Sequence, residues 1–435
     1  MNAPLRPEPL RIAVAGLGTV GAGVLQLLAK NGALIAERGG RPLEIVAVSA
    51  RDRKKGRGLD LGKIAWFDDA AAMAREAPCD VVVELVGGSE GVARAVCENA
   101  IAAGRHVVTA NKALLAHHGT SLAAAAEAKG LTIAYEAAVA GGIPIIKAIR
   151  EGLAANRISR VYGILNGTCN YILTQMRKTG APFADVLAQA QKLGYAEADP
   201  SFDVDGVDAA HKLAVLAGVA FGTKIDFAGV HVEGIRRVGA QDIQFARELG
   251  YRIKLLGIAE LGADGLMQRV HPCMVPLETP IAHVEDVYNA VVAEGDFVGR
   301  LVCEGRGAGA GPTASAVVAD LVDIAHGRRP MTFQVPAGKL AEPARLGISA
   351  RRGSYYIRLD VVDRPGVIAD VTAALRDEAV SLASMLQRGR APDERVPVVL
   401  VTHETSEAAM AKALARIGAL GAVLEPPVVV RIESL

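Results

Sequence analysis

Short apolar runs alternate with longer helical patterns along residues 1–141. LRIAVAGLG, LEIVAVSA, VVVELVGG, HVVTANK and TIAYEAAV are dominated by Val, Ile, Ala and Leu and read as buried strands. Between them, EGVARAVCENAIAAG and KALLAHHGTSLAAAAEAKG carry apolar residues at helical spacing. Such alternation calls for right-handed βαβ units and a parallel sheet covered on both faces. From about residue 142 the rhythm changes. Helical segments (IPIIKAIREGL, PFADVLAQAQKLG, VDAAHKLAVLAG) are followed by β-like pieces (YRIKLLGIAEL, LMQRVHPCMVP, GRLVCEG), which predicts an α+β domain over 142–306. TASAVVADLVDIAHG predicts a helix within 307–327 that returns to the first domain, and residues 328–353, with three prolines, read as a linker. Residues 354–435 give the order βαββαβ, a ferredoxin-like split arrangement, and read as a separate unit.

Composition narrows the classes of function. Lys and Arg number 48 against 47 Asp and Glu, a net charge of +1, so no field favours nucleic acid or an anionic membrane. With 47 glycines, 51% hydrophobic residues and 4% aromatics, the chain suits close helix–sheet packing. Cys79, Cys97, Cys169, Cys273 and Cys303 are scattered without a CxxC pair, which supports neither a disulfide framework nor a zinc ribbon. The opening MNAPLRPEPLRIAVAG lacks the features of a signal peptide. No uncharged apolar run of about 18 residues occurs. The expectation is a soluble cytoplasmic protein with no nucleic-acid or membrane partner.

Gly16-Leu17-Gly18-Thr19-Val20-Gly21 follows a predicted strand and opens a helix, the context of a dinucleotide-binding turn in a Rossmann-type domain. Gly16 permits the tight turn, Gly18 lets the backbone approach a pyrophosphate, and Gly21 allows close helix–strand packing. The helix N-terminus then offers N–H groups to the phosphates. The second strand ends Ser49-Ala50-Arg51-Asp52-Arg53-Lys54-Lys55. Arg51, with Lys54 or Lys55 behind it, suits a 2′-phosphate and favours NADP, while Asp52 could serve a ribose and leaves NAD open.

An acidic stretch, GYAEADPSFDVDGVDAAHK (194–212), stops where the apolar helical run LAVLAGVAFG begins. Asp208 and Lys212 are four residues apart and share a helix face. The plain reading is a solvated loop and a surface pair. Against it, the helix continues strongly apolar, so its start is anchored in the core, and further carboxylates precede it. Together they can hold a substrate ammonium while Lys212 hydrogen-bonds a carbonyl oxygen and donates its proton as hydride arrives.

At these residues the chain resembles the homoserine dehydrogenases. GYAEADPSFDVDGVDAAHKLAVLAG is similar to that family's substrate-site signature, and NGTCNYIL, VVTANKALLA, YEAAVAGGIPII and GAGAGPTASAVVADL carry the same pattern across residues 10–325. The resemblance implies that Lys212 donates the proton, that Asp208 and Glu197 bind substrate, and that Asp203 supports them. It implies a second active-site lysine at Lys112, which also meets the cofactor. Gly167 and Thr168 match positions where the backbone meets cofactor and substrate, and Gly309 a later cofactor-contacting turn. Glu136, Val139, Gly141 and Ile143 match a monovalent-cation site built mainly from carbonyls, expected to take sodium. His211 reads as a packing or helix-surface residue, and Asp199 and Asp205 as solvated or capping acids. His231, Glu233 and the pair His117-His118 have no metal-ligand partner at useful spacing. Cys169 reads as a small packing residue rather than a nucleophile.

Asp363-Arg364-Pro365-Gly366-Val367, between a strand and a helix of the last unit, resembles the ligand loop of an ACT domain. Gly366 allows close approach, and the helix N-terminus attracts a carboxylate. The resemblance implies regulation by an amino acid, with threonine expected, and a homodimer or homotetramer. The implied activity is reversible NAD(P)-dependent conversion of L-aspartate 4-semialdehyde to L-homoserine. The alternative is a non-catalytic amino-acid sensor, which would have no need of both Lys112 and Lys212.

Overall fold

The structure is a computed structural model describing residues 8–435 apart from 56, 57, 59 and 389–392. The N-terminal domain contains β1 (Leu10–Ala15), α1 (Thr19–Gly39), β2 (Leu43–Ser49), β3 (Ala65–Phe67), α2 (Ala70–Glu76), β4 (Val81–Glu84), α3 (Val92–Ala102), β5 (His106–Thr109), α4 (Lys112–Glu127) and β6 (Ile133–Ala134). Its six strands are all parallel in the order β3-β2-β1-β4-β5-β6. Alternate residues of β1 serve opposite faces. Ile12 and Val14 pack towards Val24, Leu25 and Ile35 of α1, while Ala13 and Ala15 join a core shared with α2, α3 and α4. α1 is long and apolar enough to cross a bilayer by length and composition, yet its inner face belongs to this core.

A short helical segment, α5 (Ile145–Lys147), leads into the second region. It comprises β7 (Ile158–Ile164), α6 (Gly167–Thr179), α7 (Phe183–Lys192), α8 (Ser201–Val204), α9 (Val207–Phe221), β8 (Val230–Val232), α10 (Ala240–Glu248), β9 (Tyr251–Gly262), β10 (Gly265–Pro276), β11 (Tyr288–Gly295) and β12 (Gly299–Arg306). Strands β12-β11-β7-β9-β10 form successive antiparallel pairs. α9 lies against this sheet and is buried at every position from Asp208 to Ala220. A helix apolar on all sides is stable only when enclosed. α11 (Ala310–Ala325) then returns to the first domain, where Ala314, Val317, Leu321 and Ile324 pack with α1.

Residues 328–353 connect to the C-terminal unit as a packed strap. Phe333, Ala337 and Leu340 are buried in the main core, and β13 (Arg345–Leu346) pairs with β10. The unit contains β14 (Arg352–Val362), α12 (Val367–Asp377), β15 (Leu382–Gln387), β16 (Arg395–Thr402), β17 (Thr405–Ser406), α13 (Glu407–Gly418) and β18 (Val428–Ile432). The order β18-β14-β16-β15 matches the expected ferredoxin-like arrangement. Its separateness does not hold. β18 pairs in parallel with β10 at Cys273↔Arg431 and Met274↔Ile432, so the two sheets are continuous. α12 and α13 cover one face, while Tyr356, Val399, Val430 and Ile432 on the other join Ile243, Phe245 and Ala246 of α10 in the main core.

Candidate active site

The glycine turn after β1 has the geometry its composition demands. Gly16 adopts φ +103°, and its N–H donates to Ser49 O at 2.9 Å. A Cβ on Gly21 would lie 2.0 Å from Gly16 O, so the helix packs on the turn only with glycine there. Gly18 differs: a Cβ there would meet nothing within 4 Å, and the N-terminus of α1 has no side-chain cap. Gly18 and Thr19 are exposed, with Val20 half-buried behind them. This leaves an open cradle of backbone N–H groups that fits a pyrophosphate. At the end of β2, Arg51 is exposed and carries no ion pair among the described residues, while Asp52 Oδ1 accepts the Lys54 N–H at 2.8 Å. An unpaired guanidinium beside the turn suits a 2′-phosphate.

Beside the turn, β4 ends in Glu84, which is fully buried. Its carboxylate accepts the N–H groups of Val86 (2.7 Å) and Gly87 (3.1 Å) and the Thr109 hydroxyl (2.7 Å). Asn111 caps α4 through the Leu114 N–H at 3.0 Å and donates to Gly88 O at 2.7 Å. Glu84 and Asn111 therefore shape the loop at the C-terminal edge of the parallel sheet, where such folds bind ligands. Neither was singled out from sequence. The readable signal for Glu84 was a lone acid inside the apolar run VVVELVGG.

Lys112 opens α4 at the same edge, and its Nζ lies 3.3 Å from Asp208 Oδ1. Lys212 Nζ donates to Asp208 Oδ2 at 2.6 Å and to Leu165 O at 2.8 Å. Asp208 and Lys212 are 5% and 8% exposed, which rules out a solvated surface pair. Burial alone would raise the Asp208 carboxyl, but the ammonium groups of Lys212 and Lys112 outweigh it and hold it well below the usual carboxylate range. Asn166, which caps α6 by accepting the Cys169 N–H at 2.8 Å, donates to Asp203 Oδ1 (2.8 Å) and Asp208 Oδ2 (2.9 Å). Burial, then the neighbouring Asp208, push the Asp203 carboxyl up. The site thus spans the nucleotide domain, α6, α8 and α9. Such an arrangement can present charge and N–H bonds to a reacting oxygen, with Asp208 keeping both lysines in place.

The sequence matches the profile described as homoserine dehydrogenase over residues 144–322, and that described as homoserine dehydrogenase, NAD binding domain, over 16–136. It is 46% identical over 437 residues to the homoserine dehydrogenase of Pseudomonas aeruginosa, covering 98% of this chain and all of that one. The chain belongs to the homoserine dehydrogenase family. It is accordingly an NAD(P)-dependent oxidoreductase. The homoserine dehydrogenase of Neisseria gonorrhoeae is 44% identical, over 98% of this chain and 99% of that one. The crystal structure of a homoserine dehydrogenase from Thiobacillus denitrificans superposes with a TM-score of 0.91 at 46% identity, covering 98% of each chain. A hyperthermophilic archaeal homoserine dehydrogenase in complex with NADPH gives a TM-score of 0.63 at 25% identity, over 73% of this chain and 97% of that one. Residues 355–419 match the ACT domain profile.

Thr168 donates its hydroxyl to Tyr195 O at 2.8 Å, tying α6 to the acidic loop, and a Cβ on Gly167 would meet Val287 O at 2.8 Å. Gly309, at φ +116°, starts α11. Glu197 is not brought into the cluster: it is exposed, and its carbonyl, not its carboxylate, receives the Gln191 amide at 2.9 Å. Asp199 caps the Ser201 N–H (3.0 Å), Asp205 pairs with Arg236 (2.5 Å), and Cys169 is buried with its thiol pushed well up, all structural roles.

Glu136 is 2% exposed and accepts the N–H groups of Ile146 and Lys147, each at 2.9 Å. Burial, then Asp320, push its carboxyl up to about 7. Ala140 (φ 57°) and Gly141 (φ 51°) turn the chain sharply between Val139 and Ile143. A hard cation takes oxygen donors, of which Glu136 offers a carboxylate beside this bend. In the C-terminal unit Asp363 is half-buried, its carbonyl accepts the Asp393 N–H at 3.1 Å, and Pro365 and Gly366 are exposed at the start of α12.

Proposed function

We propose that this chain reduces L-aspartate 4-semialdehyde to L-homoserine, reversibly, in threonine, methionine and isoleucine biosynthesis, with NADPH preferred over NADH. The observation that carries the mechanism is the bonding of Lys212. Two of its three N–H bonds go to Asp208 Oδ2 and Leu165 O, and the third is left for the substrate's carbonyl oxygen. When bound, the nicotinamide supplies a hydride to C4 of the aldehyde. Lys212 donates a proton to the oxygen as negative charge develops there, and Lys112, on the far side of Asp208, adds positive potential. Asp208 holds both lysines charged and oriented before the reaction. Asp203 supports the site through Asn166, Thr168 ties α6 to the acidic loop, and Glu197 of that loop binds the substrate ammonium.

Arg51 supports NADP, as does the NADPH complex of the archaeal relative. Gly16, Gly18, Thr19, Val20 and Gly21 hold the pyrophosphate, with Lys112, Gly167 and Gly309 along the rest of the cofactor. Glu136, Val139, Gly141 and Ile143 hold sodium as a structural ion. Threonine binds at Asp363, Pro365 and Gly366 and inhibits; the open space around Gly366, at φ +94°, supports a carboxylate approaching α12. The outer strands β12 and β15 of the large sheet leave edges open to pairing, which supports a homodimer or homotetramer. All five cysteines are free thiols, in keeping with a cytoplasmic enzyme.

The test is initial-rate oxidation of L-homoserine with NADP and NAD in parallel, followed by nicotinamide absorbance, with and without L-threonine. Turnover with NADP preferred, and inhibition by threonine, is the expected result. Faster turnover with NAD would remove the role given to Arg51, and indifference to threonine would remove the effector assignment.

A further inference from the structure

We propose that Asn166 is a positioning residue of the active site, its side-chain amide clasping Asp203 and Asp208 so that the Lys212–Asp208 pair is held in one orientation. The inference rests on the assignment of Lys212 and Asp208 given above, and adds a residue that acts through that pair.

The geometry leaves the amide one arrangement. Asn166 is 4% exposed, and its Oδ1 is taken by the Cys169 N–H at 2.8 Å. With the oxygen fixed as acceptor, both hydrogens on Nδ2 must find acceptors in a buried place. They find one carboxylate on each side of the α8–α9 turn: Asp203 Oδ1 at 2.8 Å and Asp208 Oδ2 at 2.9 Å. The preceding peptide completes the grip, because Leu165 O accepts from Lys212 Nζ at 2.8 Å. Two consecutive residues therefore hold both members of the catalytic pair. Loss of either contact would let the lysine's third N–H swing away from the reacting oxygen.

The chemistry of the side chain matters as much as its place. Two carboxylates on one nitrogen, Asp208 buried and Asp203 half-buried, repel each other. A neutral double donor joins them without neutralising either, whereas a lysine or arginine here would compete with Lys212 for Asp208. The charged and titratable groups beside the amide are Cys169 of α6, Asp203 of α8, and Asp208 and Lys212 of α9, with Lys112 of α4 on the far side of Asp208. Removing the amide hydrogens leaves both acids less well solvated, which drives their titration upward.

Two variants separate the clasp from the helix cap. Asn166→Ser keeps an oxygen able to cap α6 but cannot reach both acids. Asn166→Asp keeps size and cap but sets a third carboxylate where two hydrogens stood. Both are compared with the parent enzyme for NADPH affinity, for kcat and kcat/KM against pH, and for titration of the Asp203 and Asp208 carboxyls by carbon NMR. The expected result is unchanged NADPH affinity, kcat lowered at least about tenfold, an acid limb moved to higher pH, and upward-shifted carboxyl titrations, all larger in the Asp variant. Variants that bind NADPH and lose activity with an unmoved pH profile and unmoved carboxyl titrations would reduce Asn166 to a helix cap and overturn the proposal. The carboxyl titration needs no turnover, so it judges the clasp even if the parent enzyme proved inactive on L-homoserine, a result that would count against the substrate assignment instead.

Discussion

His211 shares α9 with Asp208 and Lys212 but faces the other way, stacked on the Phe227 ring at 4.2 Å and edge-on to His117 at 5.5 Å. Both its ring nitrogens lack hydrogen-bond partners, and burial, then His117, hold its imidazole down to about 4. An unfolded histidine titrates near 6.5. Between those values the unfolded chain binds a proton that the folded one refuses, so stability contributed by this group falls as pH drops from about 6.5 towards 4. His211→Phe keeps the stack and removes the proton. Its unfolding midpoint, followed by calorimetry from pH 7 to 4.5, is expected to fall less steeply than that of the parent; parallel curves would contradict the assignment. The sequence suggests packing or a place on the helix surface for His211, and its burial leaves packing. The spacing of Asp208 and Lys212 made their pairing equally legible, since four residues on a helix bring two side chains together. Asn166 was not legible as a clasp, because its acceptors lie 37 and 42 residues away and are chosen by tertiary folding. Glu197 shows the opposite limit, a motif position whose side chain the structure leaves in solvent.

Among the elements, α1 shows how a motif becomes geometry. Three glycines in one turn serve different needs, and Gly18 alone faces open space. Gly18→Ala, at an ordinary φ of −75°, should leave the fold intact and place a methyl where the pyrophosphate approaches. An unchanged unfolding midpoint with NADPH affinity weakened at least about tenfold is expected from parallel calorimetry and fluorescence titration. Unaltered affinity would show that the phosphates lie elsewhere. The strands of the parallel sheet were readable because doubly buried strands form near-continuous apolar runs. The packing of the strap was not, because proline and basic residues dominate its composition, whereas its burial rests on scattered anchors such as Phe333.

At the scale of the molecule, the βαββαβ order was plain from periodicity, but its docking was not. Two registered pairs between β10 and β18, and a face shared with α10, are contacts between elements far apart in sequence. A buried ionic network crosses the same junction: Glu433 lies 3.1 Å from Arg269 and 2.9 Å from Arg351, while Arg431 reaches Glu233 at 2.8 Å. The arginines outweigh burial and hold the Glu433 carboxyl down to about 2. The C-terminal unit and the catalytic region should therefore unfold in one calorimetric transition. Arg269→Met, which strips a buried partner from Glu433, should lower stability by about 3 kcal/mol without dividing that transition. Two resolved transitions in the parent would show that the ACT unit stands alone.

In the proposed mechanism Lys212 delivers the proton that accompanies hydride transfer. Its most direct test is the steady-state rate of L-homoserine oxidation by the Lys212→Ala enzyme beside its parent, with NADPH binding measured on both. The expected result is kcat lowered by about 10² to 10⁴ with cofactor affinity preserved. A variant that binds NADPH and turns over within a few-fold of the parent would contradict it.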